Sequence, residues 1–520
     1  MVSAAMGMSR ITGLAREIIM AHLFGAGFVY DAFLLGFRIP NLTRDLFAEG
    51  ALSSAFVPLF TQTLAQKGRK EAAALSNLVG TALIIIVGLF CILGVVFSPA
   101  WVNLLASGFH RVPGKFELTV KLTRIMFAFL LLVALAAQAM GVLNACNRFA
   151  VPALASTFFN IGSVAFGLAM GYLVGPHLGL QPITGMAIGV VMGGALQLIW
   201  QLPSLRAEGF SFHPAINWRH PLLRKIFRLM GPAILGNAAV QINVLVITNF
   251  ASRIPGNGPV SWLGYAFRFM QLPLGLFGVA IASATLPSIS RSAGLGDFDE
   301  FRRTLSQSLG MVFLLTLPSS VGLLVLGRAM IGAIYQGGKF SAYDADQTAL
   351  ALSCYALGLA GYSALKILNP AFYALHDART PMIVSLLSIA VNYLTASLAF
   401  RYTKLGHAGL ALSTAAVAIF GAVALFALLR NRVGGIYGRN LFDSVWKIVA
   451  ASAVMGAAVL LSNHSIEGWL GANRLSRLVD LALSIPLGLG VFYTACRVLG
   501  VSELKLAARA LANPLARRQR

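Results

Sequence analysis

Acidic residues are scarce in this chain: 17 Asp and Glu stand against 40 Lys and Arg in 520 positions, and charged residues of both signs make up only 11%. A soluble protein needs charged side chains at about 25% of positions to cover its surface. A water-exposed globular exterior is thereby excluded. Cysteine is nearly missing too. Cys91, Cys146, Cys354 and Cys496 lie singly in or beside apolar segments, which excludes a disulfide framework and a metal-binding spacing and leaves them as packing residues. There is no Walker A sequence, no HExxH pair, no Ser/His/Asp arrangement with local support and no soluble nucleotide domain. The eight histidines are scattered, and His22, His376 and His407 read as loop or interface residues. No catalytic residue, metal or cofactor is expected. The net charge of +23 has no soluble basic domain that could present it to nucleic acid, so it belongs to loops or to the membrane interior.

What the chain does have is apolar length. It is 58% hydrophobic with a mean hydropathy of +0.78, in runs such as LSNLVGTALIIIVGLFCILGVVF at 75–97. A run of roughly 20 apolar residues crosses a hydrocarbon core of about 30 Å as a helix. The runs do not alternate and aromatics are only 10%, which disfavours a transmembrane β-barrel. The expectation is an all-α polytopic membrane protein. Residues 9–25 flow into the next span without a small-residue cleavage site, so no cleavable signal is expected. Polar breaks delimit fourteen transmembrane helices, at 3–25, 28–62, 73–105, 118–145, 151–175, 182–204, 221–252, 259–290, 300–327, 343–376, 380–402, 407–430, 441–463 and 475–499. Pro40 and Pro370 are the points where the two longest segments would break.

Placing the N-terminus in the cytoplasm puts 23 of the 40 basic residues on the cytoplasmic side and 11 on the other, with six in or near spans. This positive-inside bias sets both termini in the cytoplasm. An internal echo divides the chain further. LNACNRFAVPALASTFFNI at 143–161 matches NPAFYALHDARTPMIVSLLSIAVNY at 369–393, with Pro152/Pro381 and Ser156/Ser385 both offset by 229. LFAEGALSSAFVPLF at 46–60 likewise echoes LFGVAIASATLPSIS at 276–290. The repeat implies two six-helix lobes, 1–205 and 206–432, related by a pseudo-two-fold axis along the membrane normal. Two extra C-terminal helices occupy 433–500, and a basic cytoplasmic tail occupies 501–520. Two parallel bundles around a central cavity is transporter architecture, with alternating access by rocking.

The six intramembrane cations are Arg10, Arg16, Arg38, Arg44, Arg268 and Lys366. A centrally placed charge costs about 2.5–3.5 kcal/mol even on the lenient insertion scale, so several together imply a water-filled cavity. Arg10 and Glu17 are seven apart and share a helical face, with Arg16 about 120° away and Ser9 beside Arg10. Asp31, Arg38 and Asp45 recur every seven residues as one stripe, followed by Glu49. Asp31, Asp45 and Glu49 equally suit plain neutralisation of nearby arginines, and Arg44, Asp45 and Glu49 equally suit the cytoplasmic interface. Arginines outnumber obvious carboxylates, so the cargo should be anionic, and the bidentate guanidinium suits phosphate. Coupling, if any, would draw on an ion gradient or the membrane potential.

The blocks SRITGLAREIIMAHLFGAGFVYDAFLLGFRIPNLTRDLFAEGALSSAFVPLF (9–60), MGPAILG (230–236), VSWLGYAFRFMQLPLGLFGVAIASATLPSIS (260–290), YQGGKFSAYDA (335–345) and HAGLALS (407–413) resemble the bacterial MurJ (MviN) family. That family of lipid II flippases belongs to the multidrug/oligosaccharidyl-lipid/polysaccharide exporter superfamily. The resemblance implies transport of lipid II, the undecaprenyl-pyrophosphate-linked disaccharide-pentapeptide of peptidoglycan synthesis, from the inner to the outer leaflet of the cytoplasmic membrane. It implies pyrophosphate contacts at Arg10, Arg16, Arg44 and Arg268, an acidic gating residue at Asp31, and a lipid-tail groove in helices 13–14. Two family acids on helix 8 are replaced here by Phe267 and Gln271, and the carboxylate of the Na⁺ site on helix 7 has no counterpart. A flippase for another polyprenyl-pyrophosphate sugar and a cation antiporter of the same superfamily are the alternatives.

Overall fold

The computed structural model describes residues 2–44, 52–435, 438–471 and 473–504. Among these the regular secondary structure is helical, with a single isolated bridge between Gly337 and Phe340. It forms two compact units. The first, Met1–Ser261, holds α1 (Val2–Phe24), α2 (Phe28–Arg44), α3 (Ser53–Val96), α4 (Ser98–Ala106), α5 (Lys115–Ala145), α6 (Ala150–Leu168), α7 (Pro182–Ile199), α8 (Leu202–Ala207), α9 (Pro221–Arg253) and the first residues of α10 (Pro259–Pro273). The second, Trp262–Arg520, holds the rest of α10, then α11 (Ala280–Leu295), α12 (Phe298–Tyr335), α13 (Ala342–Ala356), α14 (Leu359–Ala374), α15 (Arg379–Tyr402), α16 (His407–Arg432), α17 (Gly438–Leu470) and α18 (Arg474–Val498). The helix α9, which the repeat assigns to the second lobe, packs against α3 and α4 in the first unit.

Ten helical segments among the described residues are long and apolar enough to cross a membrane, and eleven when α13 and α14, bent by 44° at their junction, count as one span. The break falls at Leu357–Gly358, whereas Pro370 sits inside α14. The fourteen expected spans are therefore not recovered by length and apolarity alone, and the shortfall lies where charge does. Helix α2 has only 17 residues, α1 carries Arg10, Arg16 and Glu17, and α9 opens with Arg224, Lys225 and Arg228. The expected break between 62 and 73 falls inside α3, which is two helices joined at a kink where Gly68 takes the non-helical φ 82°, a positive φ that glycine adopts without a Cβ penalty. Further on, π-helical turns at Ala169–Val174 and Leu274–Val279 extend α6 and α10. The second follows Pro273, whose missing N–H interrupts the regular ladder.

Each unit has its own apolar core. Phe56, Phe60, Leu75, Val79 and Leu130 centre the first; Phe301, Leu305, Ile367, Phe372 and Leu425 centre the second. The α17–α18 hairpin docks on α12 through Leu326, Ile448, Met455 and Phe492. Its outer surface is apolar, with Trp446, Leu461 and Trp469 exposed. Its interior holds a buried carboxylate, Asp480, that accepts from Asn463 Nδ2 (2.7 Å) and Ser484 Oγ (2.6 Å). Polar-inside and apolar-outside is the arrangement that a lipid solvent selects.

The turns ending α5 and α14 are copies of one another. Asn147 (φ 60°) and His376 (φ 56°), 229 residues apart, are the two non-glycine residues with positive φ among those described. Arg148 N donates to Leu143 O and Asn147 N to Asn144 O, while Asp377 N donates to Phe372 O and His376 N to Tyr373 O. Both sets are Schellman C-caps in the same register. The residue after each cap carries an ion pair of opposite sense. Arg148 pairs with Glu208 at 2.7 Å, joined by Arg69 at 3.3 Å, and Asp377 pairs with Arg432. The hydrogen bond from Arg148 holds the Glu208 carboxyl below the ordinary glutamate value of 4.5. Hydrogen bonds from Thr380 foremost, then the charge of Arg432, hold Asp377 below 3.8. Carboxyls lowered in the folded chain stabilise it above their unfolded values, and the benefit disappears as pH falls through the folded ones. Melting curves of wild type and Glu208→Gln should therefore differ at pH 6 and converge as pH drops below about 4. A gap that stays constant down to pH 3 would show that the pair contributes nothing.

Helices α6 and α7 touch backbone to backbone. A Cβ on Gly189 would lie 2.4 Å from Ser163 O and 2.5 Å from the Cα of Gly167, and one on Gly193 would lie 2.7 Å from Phe159 O. Small residues four apart allow this approach. Gly189→Leu should force the helices apart and destabilise by about 1–3 kcal/mol or more, read as a lower melting midpoint. Gly231→Ala, in open space, is the control and should melt within a degree or two of wild type.

Candidate functional site

The expected site residues fall into different environments. On α1, Arg10 is exposed whereas Glu17, seven positions on, is buried. Their shared helical face does not give them a shared neighbourhood, because packing differs from one end of the helix to the other. Glu17 instead lies 4.0 Å from Arg16. The Arg16 side chain is half-buried, and its guanidinium carbon sits 5.3 Å from the Phe159 ring centre on α6. The guanidinium thus lies over an aromatic ring as well as beside a carboxylate, a cation–π placement that suits arginine. The Ser9 carbonyl accepts from Asn160 Nδ2 at 3.2 Å, so Ser9 fastens α1 to α6.

Helix α2 does not present one polar stripe. Asp31 is fully buried and therefore lines no open cavity. Its Oδ2 accepts from Lys115 Nζ (2.8 Å) and Gly258 N (2.8 Å). Its Oδ1 accepts from Ser261 N (2.9 Å) and Ser261 Oγ (2.6 Å). A carboxylate from α2 thus caps the first turn of α10, where the helix leaves N–H groups without intrahelical partners. Lys115 is itself buried. It reaches Asn257 Oδ1 at 3.2 Å and lies 4.4 Å from the Phe109 ring centre. Arg38, half-buried, donates to Thr248 Oγ1 on α9 at 2.6 Å. Both residues are committed to neighbours in the first unit. Arg44 closes α2 and is half-buried. Asp45 and Glu49 lie outside the described residues.

In the second unit Arg268 and Gln271 are both exposed on α10, while Phe267 packs edge-on against Tyr355 at 5.4 Å. The start of α10 is tied down by Trp262, whose Nε1 donates to Asp344 Oδ1 at 2.9 Å. Asp344 also forms the capping box of α13 with Ser341. His407, buried, donates from Nε2 to the Gln347 carbonyl at 2.8 Å and packs on Trp262.

Lys115, Ser261 and Thr248 were not legible as partners, since the contacts join positions 84 to 230 residues apart. Among the described residues no group of three His, Cys, Asp or Glu side chains is placed to hold a metal ion.

Residues 20–479 match the family model described as lipid II flippase MurJ. The chain is 35% identical over 503 residues to the lipid II flippase MurJ of Burkholderia cenocepacia, covering 95% of each protein. It is 34% identical over 519 residues to the probable lipid II flippase MurJ of Vibrio cholerae, covering 97% of each. Among solved structures it resembles a lipid II flippase MurJ in an inward closed conformation, with TM-score 0.78 and 26% identity over 96% of this chain and 99% of that one. An inward-facing multidrug transporter of the MATE family shares the fold, with TM-score 0.66 and 15% identity over 82% of this chain and 94% of the other.

Proposed function

Because the chain belongs to the lipid II flippase MurJ family, we propose that it carries lipid II from the inner to the outer leaflet of the bacterial cytoplasmic membrane for cell-wall synthesis. It is a multi-pass membrane transporter and not an enzyme. One observation carries this reading: the relationship spans essentially the whole chain, from the arginine-bearing first helices to the terminal hairpin. Composition supports it, since a cargo bearing pyrophosphate suits a chain with an excess of cations and few acids.

In this reading α1, α2 and α9 also cross the membrane, which makes fourteen spans, and both termini are cytoplasmic. The repeat supplies two six-helix lobes, 1–205 and 206–432, that rock to give alternating access. Residues 433–500 accept the lipid tail, so that only the polar headgroup leaves the bilayer. Arg16, Arg44 and Arg268 engage the pyrophosphate and Arg10 acts nearer the cytoplasmic mouth. With Phe267 and Gln271 in place of acids, gating does not rest on carboxylates at those positions of helix 8. Energy comes from an ion gradient or the membrane potential, worth about 2.3 kcal/mol per charge per 100 mV.

The test is complementation of a bacterium depleted of its own flippase, with lipid II in the outer leaflet measured directly. The expected result is restored growth and restored outer-leaflet lipid II. Growth without outer-leaflet lipid II, or neither, would refute the assignment.

A further inference from the structure

Two of the cations expected in the membrane, Arg38 and Lys366, have no part in the reading above, and Arg38 is bonded to Thr248. Lys366 lies on α14, eight residues before its end at Ala374, or about 12 Å along the axis. A bilayer half-thickness is about 15 Å, so the residue begins well inside the hydrocarbon region. Lys366 is exposed, and no carboxylate lies within 4.0 Å of its ammonium among the described residues. It does not stand alone. Asn369 is half-buried and Tyr373 exposed, and positions 366, 369 and 373 follow the i, i+3, i+7 spacing of one helical face. The opposite face, with Ser363, Ala364, Ile367, Leu368, Ala371 and Phe372, is buried against α11, α12 and α16. Pro370 adds a further polar atom, because it has no N–H to close the helical bond onto the Lys366 carbonyl.

A membrane helix thus turns its apolar side into the protein and leaves a lysine, an amide and a phenol uncovered. Facing lipid, that stripe would cost several kcal/mol, and the four-carbon stem of lysine spans only part of the distance to the interface. A water-filled path avoids that cost. The level of the stripe relative to Arg268 follows from the packing. Ser363 Oγ sits 3.3 Å from where a Cβ on Gly278 would be, and in the fourteen-span reading the α10–α11 and α13–α14 segments cross in the same direction, with α12 returning between them. Lys366 therefore lies about 20 Å from Arg268 along the axis, toward the C-terminal ends of α11 and α14.

We propose that Lys366, Asn369 and Tyr373 form a second headgroup-binding stripe on the cytoplasmic half of the path, with Lys366 holding an anionic group of the cargo before Arg268 does. The inference deepens the flippase reading and depends on it. The anion is a phosphate or a carboxylate, and lipid II offers both, in its pyrophosphate and its peptide.

The experiment measures binding of undecaprenyl pyrophosphate, which lacks sugar and peptide, and of lipid II to the full-length protein in nanodiscs. Wild type, Lys366→Gln and Lys366→Arg are compared. Glutamine removes the charge that strengthens the hydrogen bond to the anion, and binding should weaken about tenfold, with arginine retaining most of it. Weakening for both lipids assigns the lysine to the pyrophosphate; weakening for lipid II alone assigns it to a peptide carboxylate. Wild-type affinity of Lys366→Gln for both lipids would overturn the stripe. So would unfolding of that variant, because a water-facing side chain does not hold the fold. Failure of wild type to bind either lipid would instead overturn the flippase reading itself.

Discussion

Arg16→Ala and Arg268→Ala should each leave a flippase-depleted bacterium unable to grow, although the variant protein reaches the membrane at normal levels. The expectation follows from the chemistry of the cargo. A pyrophosphate entering a path of low dielectric must exchange its hydration for charged donors, each worth about 1.5–3 kcal/mol. Removing one guanidinium weakens cargo binding by roughly ten- to a hundredfold. Arg→Lys should recover only part of the function, because an ammonium cannot reproduce a two-point contact with phosphate oxygens. Arg16 also packs over Phe159, so membrane levels are measured alongside growth. Normal growth with both alanine variants would end the cationic account of recognition. Arg10→Ala, exposed nearer the start of α1, should be milder.

Asp31→Ala should be the most destabilising single change, for a different reason. It leaves the Lys115 ammonium buried without its counter-ion, and it orphans the N–H of Gly258 and both donors of Ser261. Breaking a buried ion pair by removing one partner costs about 3–5 kcal/mol, whereas removing both can be nearly neutral. The melting midpoint of Asp31→Ala should therefore fall by many degrees, and Asp31→Ala combined with Lys115→Met should recover a good part of that drop. If Asp31→Ala melted with wild type, the pair would have no structural weight. If the double variant melted no higher than the single, uncompensated charge would not be the cause.

The class of protein was plain in the sequence because it depends on local quantities. Hydropathy summed over a span, the sign of charge in each loop and the 229-residue echo are all properties of the chain read in one dimension. The echo extends to the paired turns at Asn147 and His376, whose backbone conformation follows from the local need to end a helix and start the next at a proline. The candidate arginines were legible for a related reason, since a charge within an apolar run stands out whatever surrounds it.

Roles were less legible than positions. Seven-residue spacing placed Arg10 with Glu17, and Asp31 with Arg38, on common helical faces. Spacing says which residues can look the same way but not what they meet. Glu17 and Asp31 are buried, Arg10 is exposed, and Arg38 reaches Thr248. The sequence by itself determined that this chain lives in a membrane, carries far more cations than acids and repeats short motifs about 229 residues apart. Only the tertiary structure decided that Asp31 belongs to Lys115 and the start of α10, and that Lys366 shares an uncovered face with Asn369 and Tyr373. Contacts between residues 84 to 230 apart arise from how helices pack, and packing answers to the shape and burial of the whole fold rather than to any window of the chain.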